Sequence, residues 1–96
     1  MDVLTLENYF KALTSKRRLK LLLIILCTGE ILIEELIEKV KLPYKTVIRN
    51  LSVLRSAGFI EARIDNSNVY FKVSENITEQ EEYLLTLIGL ARSLSL

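Results

Sequence analysis

Four side chains between residues 45 and 52 have the spacing that brings them to one face of a helix. Lys45, Ile48, Arg49 and Ser52 follow one another at i, i+3, i+4 and i+7, and this face turns away from the apolar stripe of the same segment. Arginine makes bidentate contacts to guanine, lysine neutralises phosphate, and isoleucine contacts the methyl group of thymine. Two cations alone are also ordinary on a solvated helix face. The isoleucine among them favours a surface that reads double-stranded DNA.

Polar residues nearby are candidates for the same surface. Thr46, near the start of this helix, is placed to hold phosphate together with Lys45. A polar turn near residue 66 is suited to phosphate or minor-groove contact, although asparagine and serine are common in turns for local reasons. The predicted DNA-binding residues are Tyr44, Lys45, Thr46, Ile48, Arg49, Ser52, Arg63, Asn66, Ser67 and Asn68.

A second basic cluster, Lys16-Arg17-Arg18, lies near the start of another predicted helix. Cations are unfavourable at that end of the helix dipole. Two interpretations remain equally open: phosphate contact, or cations that are paired within the protein or extend along its surface.

The composition argues against catalysis and against a metal site. The chain has no histidine, no tryptophan and one cysteine, so it lacks the usual ligands of zinc, a Ser-His-Asp or Cys-His relay and a disulfide framework. We expect no enzymatic activity, no cofactor and no metal. Cys27 ends an apolar run and is predicted to be a small buried hydrophobic residue. Acidic residues in the first turn of the last helix indicate dipole compensation rather than a cation site.

Length and charge indicate one domain over residues 1–96 with an uneven surface. The net charge of +1 combines +4 over residues 15–29 and +3 over 42–58 with −1 over 1–14, −2 over 30–41 and −3 over 74–96. The longest apolar run, Leu21 to Cys27, is far shorter than the roughly 20 residues that span a bilayer. We therefore expect a cytoplasmic (intracellular) protein with no membrane partner.

Hydrophobic periodicity predicts two helices in the first thirty residues. The first covers residues 3–13, with an apolar stripe of Leu6, Tyr9, Phe10 and Leu13. The second covers residues 16–27 and ends before Gly29. Its core stripe is predicted to be Leu19, Leu22, Leu23 and Leu26.

Residues 33–58 have the pattern of a helix-turn-helix. After a short extended piece at 30–32, apolar residues at helical spacing predict a third helix that ends at Lys41-Leu42-Pro43. Pro43 is predicted to occupy the first position of a fourth helix, which ends at Ala57-Gly58. The apolar residues that define the third helix are Ile33, Leu36, Ile37 and Val40, and the predicted buried stripe of the fourth is Val47, Leu51 and Leu54.

The last third of the chain predicts a hairpin followed by a helix. Residues 59–73 alternate with period two around the four-residue polar turn 65–68, which indicates a β-hairpin. Thr78 and Glu81 form a capping-box pattern that opens a helix over 78–95. The fold class is therefore mainly α (α+β), a winged helix-turn-helix in the order α-α-α-α-β-β-α, with residues 33–58 as the helix-turn-helix and 59–73 as the wing.

The last helix is apolar on more than one side and needs a partner. We expect it to act as a dimerisation helix that joins two copies symmetrically, together with the first helix. The predicted dimer interface consists of Leu6, Tyr9, Tyr83, Leu84, Leu87, Ile88 and Ala91.

The sequence resembles the ArsR-type (arsenic-repressor-like) winged-helix transcription regulators over residues 10–73. Phe10-Lys11-Ala12-Leu13, Arg18-Leu19 and Gly29-Glu30 contribute to the resemblance, and residues 46–58 are its most specific part. The resemblance implies a homodimer that binds operator DNA and represses transcription. Many such proteins release DNA on binding metal, but here the start of the third helix has no cysteine and the chain has no histidine. Asn50 also stands where histidine is common, and Pro43 and Ile48 where polar residues are common.

Two hypotheses follow. In the first, the protein is a sequence-specific double-stranded DNA-binding transcriptional regulator, a homodimeric repressor without metal sensing through the familiar sites. In the alternative, it is a winged-helix protein-protein interaction module that does not bind DNA and docks an acidic partner on its basic face.

Overall fold

The computed structural model describes residues 2–75, and in this part of the chain four helices pack on a three-stranded antiparallel sheet. The elements are α1 Val3–Leu13, α2 Lys16–Thr28, β1 Glu30–Leu32, α3 Ile33–Val40, α4 Tyr44–Ser56, β2 Ile60–Asp65 and β3 Asn68–Val73. The predicted winged helix-turn-helix is confirmed. The predicted last helix, residues 78–95, lies outside the described residues.

The helix ends are set by local backbone chemistry. Ser15 caps α2, and its hydroxyl accepts a hydrogen bond from the backbone N–H of Arg18 at 3.3 Å. Gly29, with φ 91°, ends α2 as predicted and donates its N–H to the carbonyl of Ile25 at 2.9 Å. Glycine adopts this positive φ without the steric cost that a β-carbon brings. Lys41 ends α3 in the left-handed region, with φ 57°.

Pro43 lies one position earlier in α4 than predicted. With ψ 146°, it is extended and forms the N-cap, and its carbonyl accepts a hydrogen bond from Val47 at 3.1 Å. The first helical residue is therefore Tyr44. Because proline has no N–H to donate, it is tolerated at either position at the start of a helix.

The central helix α2 buries a different stripe from the predicted one. Leu21, Leu22 and Ile25 are fully buried, whereas Leu19, Leu23 and Leu26 are only half-buried, so Leu22 alone was placed correctly. Residues 21–26 are all apolar, so periodicity within them does not select a face. The face is selected by the elements that pack on α2, namely α3, α4 and β3.

Cys27 is exposed, and the prediction that it is buried was wrong. It lies two residues beyond the buried Ile25, which is about 200° around the helix. That rotation turns Cys27 away from the core.

The remaining core lies between the helices and the sheet. Phe59 is fully buried, and its ring centroid lies 5.1 Å from that of Tyr9, which ties α1 to the residue just before β2. The other fully buried positions on α3, α4 and β1 are Ile31, Leu36, Val40, Val47, Leu51 and Leu54. The predicted stripe of α4 is confirmed.

The sheet has the strand order β1-β3-β2. The predicted hairpin is formed by β2 and β3, which are closed by the pair Asp65↔Asn68. Asn66 and Ser67 lie between them with φ 50° and 71°, and two positive φ angles match the twist of a two-residue hairpin loop. The extended piece at 30–32 pairs with β3 as a third strand, opposing Ile31 to Phe71. Because β1 runs directly into α3, the wing is joined to the helix-turn-helix.

Candidate nucleic-acid interface

Helix α4, the second helix of the helix-turn-helix, has one buried side and one basic, exposed side. Lys45, Arg49 and Ser52 are exposed, and Tyr44 in the first turn is 61% exposed. Among the salt bridges of residues 2–75, none involves Lys45 or Arg49. Both charges therefore remain available for an anionic partner.

Two predicted members of this face are less exposed than the others. Thr46 and Ile48 are half-buried, and Ile48 packs against the hydrophobic core. The expectation that Ile48 is an exposed apolar residue was wrong, because its helical position borders the buried stripe. Only part of its side chain is left on the face.

Asn50 faces the protein interior rather than the basic face. It is 6% exposed, its Oδ1 accepts a hydrogen bond from Arg18 Nη1 at 3.3 Å, and its Nδ2 donates to the carbonyl of Thr46 at 2.9 Å. The departure from the common histidine at this position therefore concerns how α4 is held. It does not change a base-reading side chain.

Arg18 joins three helices. Its Nε donates to the carbonyl of Ala12 at 2.7 Å and its Nη2 to that of Lys11 at 2.9 Å, in addition to the bond with Asn50. The carbonyls at the end of α1 have no partner inside their own helix, and a cation is favourable there. Of the two interpretations of this basic cluster, Arg18 therefore follows the second: it is paired within the protein. Lys16 and Arg17 are exposed.

Lys20 makes a similar contact that the sequence does not predict. Its Nζ donates to the carbonyl of Val40 at 3.3 Å, which satisfies an acceptor at the end of α3. The sequence indicates only that the last carbonyls of every helix have no partner within the helix and need a donor. Which lysine reaches them depends on how α2 and α3 pack.

In the wing, Arg63 is held by an ion pair across the sheet. Its Nη2 lies 2.7 Å from Glu30 Oε1, its Nε donates to Glu30 Oε2 at 3.1 Å, and its guanidinium lies 4.5 Å from the ring centroid of Tyr70. The hydrogen bond from Arg63 lowers the pKa of Glu30, and the same bond raises the pKa of Arg63. The pair uses Nε and Nη2, whereas Nη1 lies 3.6 Å from Asp65 Oδ2 and is the end of Arg63 left for another partner.

The tip of the wing remains open to a partner. Asn66, Ser67 and Asn68 are exposed, and the pair between Glu30 and Arg63 joins the wing to β1. The wing tip and the basic face of α4 are therefore both solvent-accessible parts of the candidate interface.

The predicted dimer residues are described only in part. Tyr9 is buried against Phe59 within its own protomer, whereas Val3, Leu4 and Phe10 leave an exposed apolar surface on α1. The side chain of Leu6 and the predicted interface of the last helix lie outside the described residues. That part of the interface comprises Tyr83, Leu84, Leu87, Ile88 and Ala91.

Within residues 2–75, no three histidine, cysteine, aspartate or glutamate side chains are grouped as metal ligands. No helix in the same part of the chain has the length and apolar character needed to cross a bilayer.

A helix-turn-helix whose second helix exposes a basic face, followed by a β-hairpin, defines a winged helix-turn-helix protein. Comparison with known sequences agrees. The chain is 30% identical over 71 residues to an uncharacterized HTH-type transcriptional regulator of Methanocaldococcus jannaschii, covering 73% of this chain and 80% of that protein. No family model matches the chain.

The chain is also similar in fold to solved structures. HlyU from Vibrio cholerae matches with a TM-score of 0.81 at 22% identity, covering 95% of this chain and 97% of that one. The transcriptional repressor BigR from Xylella fastidiosa matches with a TM-score of 0.72 at 26% identity, covering 91% and 85%. A homodimeric winged helix-turn-helix DNA-binding domain from Mycobacterium bovis, of "a possible ArsR-family transcriptional regulator", matches with a TM-score of 0.74 at 25% identity, covering 95% and 78%.

The chain belongs to the HTH-type transcriptional regulators. Its predicted resemblance to ArsR-type winged-helix regulators is confirmed by the similar structures.

Proposed function

We propose that this protein is a homodimer that binds a specific double-stranded DNA site and represses transcription in the cytoplasm, without enzymatic activity and without metal sensing through the familiar sites. The exposed basic face of α4 carries the proposal. A helix of 13 residues is about 20 Å long, and the major groove of B-DNA, about 12 Å wide, admits an α-helix.

Each exposed residue of α4 has a distinct role in this proposal. Arg49 makes a bidentate contact to a guanine edge, the commonest specific contact in the major groove. Lys45, Tyr44 and the partly exposed Thr46 contact phosphates near the start of α4 and set its position. The exposed part of Ile48 contacts a thymine methyl, and Ser52 contacts a base or phosphate.

The wing adds contacts beside this groove. Asn66, Ser67 and Asn68 contact phosphate or the minor groove. Arg63 holds β2 to β1 through Nε and Nη2, and its Nη1 contacts a phosphate.

The dimer rests on the apolar surface of α1 and on the predicted last helix. Val3, Leu4 and Phe10 are large apolar residues with little cover in the protomer, and the Mycobacterium bovis relative is homodimeric. A symmetric dimer would place two copies of α4 about 34 Å apart, the spacing of adjacent major-groove half-sites.

Repression is supported by the repressor from Xylella fastidiosa among the similar structures. Metal is not expected as the effector because the chain has no histidine and a single cysteine. A zinc site uses several such ligands.

The DNA-binding proposal is tested by selecting duplexes from a random library with the full chain and measuring affinity against salt. Arg49→Gln is expected to reduce the preference for the selected site over an unrelated duplex by about 1–3 kcal/mol. Lys45→Gln is expected to weaken both duplexes and to reduce the salt slope by about one.

Arg55→Gln is the matched control, because it removes the same charge from an exposed residue of the same helix, near its other end. It is expected to leave the preference unchanged. Absence of binding to any duplex at low salt would overturn the proposal and favour the protein-interaction module. Equal loss of preference in the Arg49 and Arg55 variants would overturn the role of Arg49.

The dimer is tested by sedimentation. Phe10 is 52% exposed, and Phe10→Glu would place a charge in the apolar interface, so we expect it to shift the protein toward monomer. The control is Ile64→Glu on the wing, where another large apolar residue is exposed. If the Phe10 variant remains dimeric, α1 does not form part of the dimer interface.

A further inference from the structure

An open groove runs between α1 and the C-terminal half of α4. It has a volume of about 540 Å³, which lies within the range of roughly 300–1,000 Å³ typical of small-molecule sites. Ala12, Val53 and Ala57 line an apolar part, and Lys11 and Arg18 line a basic part. Small-molecule sites commonly combine an apolar body with a few polar groups that fix orientation.

The charge in this groove is one-sided. Arg18 is half-buried, and the acceptors of its guanidinium are all neutral oxygens: two backbone carbonyls and the amide of Asn50. These bonds use three of the five N–H donors of a guanidinium. Within residues 2–75, no salt bridge involves Arg18 and no carboxylate lines the groove.

The second cation of the groove is easily redirected. Lys11 Nζ lies 3.1 Å from the carboxylate of Glu7, but both side chains are more than half exposed. Exposed pairs of this kind are weak, so the ammonium group is able to turn toward a ligand.

We propose that this groove binds a small organic anion, a compact apolar body that carries one carboxylate. The carboxylate is placed at Arg18 and Lys11, where its charge is complementary, and the apolar body packs on Ala12, Val53 and Ala57. A ligand with the opposite charge has no carboxylate partner in the lining.

The same arginine connects the groove to the DNA-binding helix. Arg18 donates to Asn50, and Asn50 donates to the carbonyl of Thr46 in the first turn of α4. A carboxylate that draws the guanidinium outward weakens its bond to Asn50 and thereby changes how α4 is held. The anion would then be an effector of DNA binding, an inference that rests on the function proposed above.

Binding is tested first without DNA, so that its outcome is independent of the proposed function. The full chain labelled with ¹⁵N is titrated with benzoate, with benzylammonium as a matched probe of opposite charge, at constant ionic strength. We expect saturable shifts at Arg18, Val53 and Ala57 with benzoate alone. Affinity in the millimolar range is expected of so small a ligand. No saturable shift, or an equal response to benzylammonium, would overturn the site.

Two pairs of variants locate the site. Ser56, the last residue of α4, lines the groove, so Ser56→Phe is expected to fill it and abolish binding. Thr28→Phe, at the exposed last residue of α2, is its control. Lys11→Gln is expected to weaken binding about threefold or more, while Lys39→Gln in the last turn of α3 leaves it unchanged. Benzoate binding retained in Ser56→Phe would overturn the site. A shift of that variant toward monomer would also overturn it, because the groove would then belong to a subunit interface.

The regulatory step is tested on the selected duplex at constant ionic strength. Saturating benzoate is expected to change duplex affinity at least threefold in the wild type and not in Ser56→Phe. Benzoate that binds the groove without changing duplex affinity would overturn the regulatory step and leave the proposed DNA binding intact.

Discussion

The hydrogen bond between Arg18 and Asn50 joins α2 to α4, the helix proposed to bind DNA, and Asn50→Ala removes it. Asn50 is buried, its Oδ1 is 3.3 Å from Arg18 Nη1, and its Nδ2 donates to Thr46. The substitution leaves one guanidinium N–H without its acceptor in a half-buried position. The two carbonyl bonds of Arg18 to the end of α1 remain.

The expected cost follows from the geometry. Hydrogen bonds to charged groups contribute about 1.5–3 kcal/mol, and a separation of 3.3 Å is beyond the range of about 2.7–3.2 Å for N–H···O, so the lower end applies. Loss of the neutral bond to Thr46 costs about 0.5–1 kcal/mol more, and alanine returns about 0.5 kcal/mol of helix propensity. We expect the free energy of unfolding to fall by about 1.5–2 kcal/mol, which lowers the Tm by roughly 10 °C.

The assay is urea unfolding at fixed protein concentration, because stability of a dimer depends on concentration. Asn50→Ala, Arg18→Met and the double variant form a cycle that isolates the pair, with an expected coupling of about 1 kcal/mol. Ser52→Ala, an exposed position of the same helix, is the control and should change stability by less than about 0.5 kcal/mol. A coupling near zero would refute the inference that this bond holds α4.

Three further changes have expected outcomes. The hydrogen bond from Arg63 lowers the pKa of Glu30 from its usual 4.5, so the pair stabilises the folded protein above pH 4.5 and this stabilisation is lost as the pH falls through the lowered pKa. Glu30→Gln should therefore be less stable than wild type at neutral pH. In urea unfolding it should also lose less stability than wild type between about pH 5 and pH 3. In Gly58→Ala, the added β-carbon would meet no neighbouring atom, but Gly58 has φ 87°. The free energy of unfolding, measured by thermal unfolding, should therefore fall by about 1–2 kcal/mol from backbone strain alone. No loss would contradict the positive φ at the end of α4. Leu54→Ala, at a fully buried position, should cost about 2–5 kcal/mol by chemical denaturation, and a value below about 1 kcal/mol would contradict its place in the core.

Much of the fold follows from short-range patterns. Apolar spacing located α1, α3 and α4, and alternation located the hairpin, because each pattern reflects the period of its own element. Gly29 and Gly58 predicted helix ends because glycine readily adopts a positive φ, and both have a positive φ in the structure. The exposed Lys45 and Arg49 were also predictable, since they lie opposite the buried stripe of α4.

Periodicity failed where the local pattern contained no choice. In α2, the apolar run from Leu21 to Cys27 is compatible with any buried stripe. Leu21 and Ile25 are buried because α3, α4 and β3 pack on that side. Ile48 was misplaced for a related reason, since a residue at the border of a stripe is covered or exposed according to its neighbours.

The sequence by itself determined the order of the elements, the winged helix-turn-helix and the basic face of α4, because these depend on residues within a few positions of one another. Only the tertiary structure decided which charges remain available to a ligand. Arg63 pairs with Glu30 and Arg18 bonds to Asn50 across separations of 33 and 32 residues. No local pattern encodes such partners, because they meet only when the sheet forms and the helices pack.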